Sequence, residues 1–207
     1  MMRIEQFTAQ PDRAGRYKTV FSDGTVLRLY KQTVQDFGIY TGLELSEEEY
    51  RKLHTAASEM SAKMRAVRIV SASSVSKRDL ERRLLQKGED SACAQKAVAW
   101  MADMHLVDDR KTAEQIVQRC ISKGYGVSRA KQALYEKQIP KEYWEEVLEG
   151  YPDQMDSVRQ YIREHLPEQP DQKAVKKVVD ALIRKGHSYS IIRRAMDYGD
   201  MLEDTYG

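Results

Sequence analysis

Alternation of polar and apolar positions dominates the first thirty residues. Arg16-Tyr17-Lys18-Thr19-Val20-Phe21 and Val26-Leu27-Arg28-Leu29-Tyr30 alternate in this way and are rich in aromatic and β-branched side chains. Ser22-Asp23-Gly24-Thr25 separates them, so the pattern predicts a hairpin with Asp-Gly as a two-residue turn, both positions at positive φ. Ile4 to Phe7 predicts a third strand, and Val34 to Ile39 a short helix closed by Gly38. Residues 1–45 therefore read as a small β-rich module. Beyond it the period changes to that of helices. Ser46-Glu47-Glu48-Glu49 is a capping box, in which the serine accepts from the third helical N–H and Glu49 reaches back. It opens a helix expected to run, with a break, to about Ser74.

The helical part repeats itself. Leu84-Leu85-Gln86-Lys87-Gly88, Leu134-Tyr135-Glu136-Lys137-Gln138 and Leu182-Ile183-Arg184-Lys185-Gly186 close three helical runs at a spacing near 50 residues. About three helices of average length fit in such a period. The helices are expected at 60–74, 77–87 and 90–105, then 109–123, 128–137 and 141–149, then 153–165, 172–185 and 189–198. The fold class that follows is mainly α: tandem three-helix modules in an elongated curved array, preceded by the β-rich module. The boundaries read 1–45, 46–107, 108–151 and 152–207. Modules strung end to end contact only their neighbours. Such an arrangement suits a protein that lies along another assembly.

Charge sharpens this picture. Lys and Arg total 34 against 32 Asp and Glu, yet residues 58–140 carry 16 basic and 10 acidic side chains, and residues 141–207 carry 10 and 14. A basic middle points to a polyanionic or acidic partner. The longest apolar run, Ala97 to Ala102, is far shorter than a membrane span, and Met1-Met2-Arg3-Ile4-Glu5-Gln6 is too mixed for a leader. The two cysteines, Cys93 and Cys120, have no CxxC partner and fit a reducing compartment. A cytoplasmic location, no membrane and a monomer are expected.

Candidate chemistry is sparse. Ser76 and one of Asp108 and Asp109 sit where helix N-caps are needed. The paired aspartates lack the further oxygen ligands that Mg²⁺ or Ca²⁺ requires. Gly88, Gly124, Gly126 and Gly186 are expected to take positive φ at helix ends. His54, His105, His165 and His187 are scattered, and no nucleophile–base set is present. No enzyme, metal or cofactor is expected. The basic side chains remain. Lys77, Arg78, Arg82, Arg83 and Lys87 crowd the second helix of the first module, and Arg78 with Arg82 share one side. Arg129, Lys131 and Lys137 take similar places in the second module, and Arg184, Lys185, Arg193 and Arg194 in the third. Guanidinium groups fit carboxylates and phosphates bidentately, so these twelve are the candidate contacts to a protein partner or DNA.

Four segments resemble a known family. Ser76 to Gly88 is similar to the signature of RecX, the regulator of the RecA recombinase. Leu106-Val107-Asp108-Asp109-Arg110-Lys111-Thr112-Ala113 resembles the family's second mark. Lys123-Gly124-Tyr125-Gly126 with Leu134 to Ile139 resembles the third, and Arg184 to Tyr189 with Ile192 the last. The chain departs from the family at Gln138, where a glycine is usual, at Ala130 and Lys131, and at His187, where an aromatic is usual. The resemblance implies a non-enzymatic regulator that binds along the groove of the RecA–DNA nucleoprotein filament. It implies limits on filament growth, ATP hydrolysis and strand exchange, with weak contact to single- or double-stranded DNA as a second expectation. A helical protein acting directly on DNA and a helical scaffold for another client are the alternatives.

Overall fold

The computed structural model describes residues 1–196. The protein is mostly helical with a small N-terminal antiparallel sheet, and it divides into two compact units, one ending at Val107 and one beginning at Asp108.

The first unit opens with strands β1 (Met2–Phe7), β2 (Arg16–Phe21) and β3 (Val26–Tyr30). A short helix, α1 (Lys31–Asp36), leads to the two-residue strand β4 (Glu44–Leu45), giving the order β3-β2-β1-β4. The register pairs Ile4 with Phe21, Tyr17 with Leu29 and Met2 with Leu45. Three details differ from the sequence expectation. The hairpin turn has only Gly24 at positive φ; Phe21 donates to the Thr25 carbonyl at 2.9 Å, so three residues lie in the loop. The Asp23 carboxylate takes the Thr25 N–H at 2.9 Å, which holds the turn without a left-handed aspartate. Helix α1 starts at Lys31, three residues before the predicted Val34, and ends at Asp36. Strand β4 was not expected, because two residues carry no alternation to read.

Helix α2 (Glu47–Ala72) runs without the expected break, started by the capping box at Ser46. It serves two cores. Leu53 and Ala57 pack with Ile4, Phe21 and Leu29 of the sheet. Ala62 and Ala66 pack with Leu80 and Leu84 of α3 (Lys77–Gln86), and with Ala94, Ala97 and Met101 of α4 (Ser91–Asp103). Small residues along α2 let both neighbours approach closely. Full burial of each leucine contributes about 1.5–3 kcal/mol. Arg68 of α2 also donates to the Tyr30 hydroxyl at 2.9 Å, fastening the hairpin to the helix.

The second unit begins with α5 (Asp109–Ser122) and α6 (Val127–Glu136). The helix expected at 141–149 is a 3₁₀ turn (Lys141–Tyr143) followed by α7 (Trp144–Leu148). Here Ala113, Val117, Leu134 and Ile139 form a core that Trp144, Val147 and Tyr151 cover. Next come α8 (Met155–His165), α9 (Gln172–Arg184) and α10 (Tyr189–Ala195) around Val158, Ile162, Val178, Leu182 and Ile192. The last two residues of the helix expected at 189–198, and the end of the 152–207 segment, lie outside the described residues.

The repeated helix ends share one hydrogen-bond pattern. Gly88 and Glu89 donate to the carbonyls of Leu85 and Leu84 at 2.9 and 3.1 Å. Gln138 and Ile139 do the same to Tyr135 and Leu134, and Gly186 and His187 to Ile183 and Leu182. These are Schellman ends, which need a left-handed residue after the cap. Glycine supplies it twice; Gln138 adopts φ 53° in the middle copy. His105 does likewise after α4, at φ 56°. Gly126 departs from the expectation: its φ is −75°, and it is the N-cap of α6 rather than a left-handed residue.

Candidate functional site: the basic faces of the helical repeats

In the first copy, the helix that carries the predicted basic residues starts at Ser76, which is buried and accepts the Asp79 N–H at 3.0 Å. Asp79 is fully buried, and its carboxylate is paired with Arg82 on one oxygen and with Arg83, 2.9 Å away, on the other. Arg83 also reaches Ser73 Oγ at 3.4 Å. Two of the five predicted contact residues are therefore paired with a buried carboxylate of their own helix. Arg82 remains 46% exposed and Arg83 31%. Lys77, Arg78 and Lys87 are exposed, and the Lys87 carbonyl accepts from Arg65 at 3.1 Å. Arg78 in the first turn of α3 and Lys87 at its C-cap thus stand exposed at opposite ends of the helix.

In the second copy, Arg129 pairs with Glu136 at 3.4 Å, Lys131 is exposed and Lys137 half-buried. In the third, Arg184 is exposed and donates to the Asp180 carbonyl at 3.2 Å; Arg193 and Arg194 stand exposed in the last turn of α10. Lys185 is different. It is half-buried, with its ammonium 4.9 Å from the Tyr161 ring centre and 5.8 Å from that of Tyr125. Lys123 lies 6.0 Å from the same Tyr125 ring. These cation–π contacts hold the two lysines beside a cleft of about 350 Å³ lined by Ser122, Ser157, Gln160 and Glu164.

The cleft sits at a tight joint between the α5–α6 turn and the α9–α10 turn. Gly126 donates its N–H to the Lys185 carbonyl at 2.8 Å. A methyl group on Gly126 would lie 1.9 Å from the Gly186 carbonyl oxygen, and one on Gly186 2.4 Å from the Arg129 nitrogen. Two glycines are needed because two backbones touch. His187, only 4% exposed, places Nε2 3.1 Å from the Gly124 carbonyl oxygen and Nδ1 3.1 Å from the Gln154 side chain. Burial pushes its pKa below the ordinary histidine value, partly opposed by the bond to Gly124. Tyr151 donates its hydroxyl to the Tyr125 carbonyl at 2.8 Å, and burial raises that phenol to about 12.

Tyr151, Gln154 and Tyr161 were not singled out by sequence, and Lys123 and Tyr125 entered only within the Lys123-Gly124-Tyr125-Gly126 segment, without a role. The paired aspartates divide their work. Asp108 caps α5 by accepting the Lys111 N–H at 3.1 Å, while Asp109 is buried in the first turn. Among the described residues no group of three or more His, Cys, Asp or Glu stands together to hold a metal, and no helix is long and apolar enough to cross a membrane. Cys120 is buried and Cys93 partly so, and burial raises both thiols.

Residues 108–148 match the family model described as RecX, second three-helix domain. The chain is 26% identical over 201 residues to the regulatory protein RecX of Clostridioides difficile (strain 630), covering 94% of this chain and 93% of that one. It is 30% identical over 135 residues to regulatory protein RecX of Chlorobaculum tepidum, covering 63% of this chain and 83% of the relative. Among solved structures, a crystal structure of regulatory protein RecX superposes with a TM-score of 0.62 at 20% identity, over 95% of this chain and 100% of that one. RecX from Lactobacillus salivarius gives 0.58 at 20% identity, over 70% and 99%. Those superpositions establish the shared fold, and the sequence identity over most of the Chlorobaculum relative carries the assignment further: the chain belongs to the RecX family of regulatory proteins.

Proposed function

We propose that this protein regulates the RecA recombinase by binding along the groove of the RecA–DNA filament, limiting filament growth, ATP hydrolysis and strand exchange. Family membership supports the partner. The observation that carries the mechanism is that each repeat keeps exposed cations: Arg78 on α3 and Lys87 at its C-cap, Lys131 on α6, Arg184 at the end of α9. In this reading the modules 46–107, 108–151 and 152–207 each make one modest contact to acidic groups or phosphates. Contacts linked in one chain reinforce each other through effective concentration. No chemistry is required of the protein; a ligand that prefers one filament state shifts the population toward it.

The test is the single-stranded-DNA-dependent ATPase of RecA, titrated with this protein well below one copy per protomer. Inhibition at that ratio, reduced at least several-fold in Arg78→Glu/Lys87→Glu, supports the reading. An ATPase unaffected up to equimolar protein overturns it.

A further inference from the structure

The N-terminal hairpin carries a charge arrangement that the helical repeats do not explain. Phe21 donates to Thr25, so hydrogen-bonded pairs recur at Thr19–Leu27 and Tyr17–Leu29. Lys18 and Arg28 therefore face each other as a non-hydrogen-bonded pair, in which side chains lie closest. Like charges placed directly opposite destabilise a hairpin. Both are exposed, and among the described residues neither has a carboxylate at ion-pair distance. The two nearby acids are occupied elsewhere. Asp12 is held by Arg16 at 2.8 Å and by the N–H groups of Ala14 and Arg16 at 2.9 and 3.0 Å. Glu89 is held by Arg65 at 2.6 Å and by the Ser61 hydroxyl at 3.1 Å.

Two clefts share Arg16 and Arg28 as walls. One, of about 250 Å³, is also lined by Thr8, Gln10 and Lys18. The other, of about 420 Å³, runs on between β3 and Ser58 and Ser61 of α2. We propose that this hairpin face, centred on Lys18 and Arg28 and continued by both clefts, binds the phosphate backbone of nucleic acid. Adjoining clefts that share Arg28, with Lys18 beside it and Arg16 paired to Asp12, suit a chain-like anion with charges at regular intervals. Cationic groups with hydroxyl and amide donors are the side chains that contact phosphates. Val26, Leu27 and Pro11 are the larger apolar groups in these walls, so recognition there rests on charge and hydrogen bonds. The proposal goes beyond the recombinase reading and is tested without any recombinase present.

Fluorescence anisotropy of a labelled oligothymidylate, titrated with the full chain over a salt series, provides the test. Lys18→Glu/Arg28→Glu is expected to weaken binding at least ~10-fold and to reduce the salt slope by roughly 1.4, about 0.7 per phosphate contact on a single strand. The unfolding midpoint should stay unchanged, since both side chains are exposed. Lys18→Gln/Arg28→Gln gives the same readout if charge reversal disturbs the hairpin. Equal affinity and slope in the glutamine variant overturns the proposal. So does displacement of the oligonucleotide by oligoglutamate as effectively as by unlabelled oligothymidylate at equal charge, which would assign the face to acidic peptides.

Discussion

The end of α3 and the end of α9 carry the same Leu-x-x-Lys-Gly segment and the same two hydrogen bonds, yet their surroundings are opposite. A side chain at Gly88 would meet nothing within 4 Å, whereas one at Gly186 would strike the Arg129 backbone at 2.4 Å. The residue that follows diverges too. Glu89 turns to Arg65 of its own module, and His187 is buried against Gly124 and Gln154. The repeated segment thus encodes one thing, a helix terminator. What the terminator touches is decided by positions elsewhere, chiefly Gly126. In the first copy Lys87 beside it is exposed; in the third, Lys185 is drawn into a joint.

The largest effect should separate these two ends. Gly186→Ala meets both a positive φ of 88° and a backbone collision, so it should destabilise the second unit by about 3 kcal/mol or more. Gly126→Ala should come close to it through the Gly186 contact alone. Gly88→Ala, with a φ of 84° and open space, should cost only about 1 kcal/mol. Denaturant unfolding of the three variants checks the order, and equal losses at Gly88 and Gly186 would mean that the joint does not form.

Next in size is Asp79. Its removal leaves Arg82 and Arg83 unpaired and the Ser76 end of α3 less well organised, but both guanidiniums reach solvent, so screening moderates the loss. Asp79→Ala should cost about 1–3 kcal/mol by thermal unfolding. Arg82→Glu should share part of that loss, because it sets a second carboxylate beside a buried one. Arg78→Glu/Lys87→Glu should leave the midpoint nearly unchanged. The pair Arg78 and Lys87, without Arg82, is therefore the cleaner test of a binding face.

The third effect is pH-dependent and belongs to the α9 end alone. His187 has its pKa lowered by burial, so the neutral ring stabilises the fold. That contribution is fully present above the ordinary value of 6.5 and is lost as pH falls through the depressed folded value. The protection factor of the Gly126 amide, whose N–H crosses the joint, should fall on acidification, and that of Gly88 should not. An identical fall at both would place the titrating group elsewhere.

Much of this was legible beforehand, and the failures have a common cause. Helix ends, the N-cap at Ser76, one at Asp108 or Asp109, and the hairpin strands depend on residues within four positions of each other, and the sequence displays those directly. Asp79 stands at i, i+3 and i, i+4 spacing from Arg82 and Arg83, but these were read as contacts to a partner, because nothing in the sequence shows that Asp79 is wholly buried. Lys185 read as a surface cation because nothing nearby announced Tyr125 and Tyr161, 60 and 24 positions away. The Gly126–Gly186 contact spans the same distance in sequence, and no alternation or periodicity encodes a meeting of two turns.

The smallest effect tests whether the terminator is separable from its neighbours. Gln138 holds φ 53° in the middle copy, where α3 and α9 both end in glycine. A left-handed conformation costs a side-chain-bearing residue about 1 kcal/mol or more relative to glycine. Against this, glycine adds freedom to the unfolded chain, which offsets part of the gain. The side chain is exposed, so no core contact is removed. Gln138→Gly should therefore stabilise the second unit by about 0.5 kcal/mol, read as a small rise in unfolding midpoint with an unchanged denaturant slope. The Ile139 side chain, packed with Leu134 and Val117, is untouched by the change. A loss of stability would mean that Gln138 makes a contact worth more than its backbone strain. The middle copy would then have exchanged the terminator's glycine for an interaction, as the third has exchanged its exposed lysine for a joint.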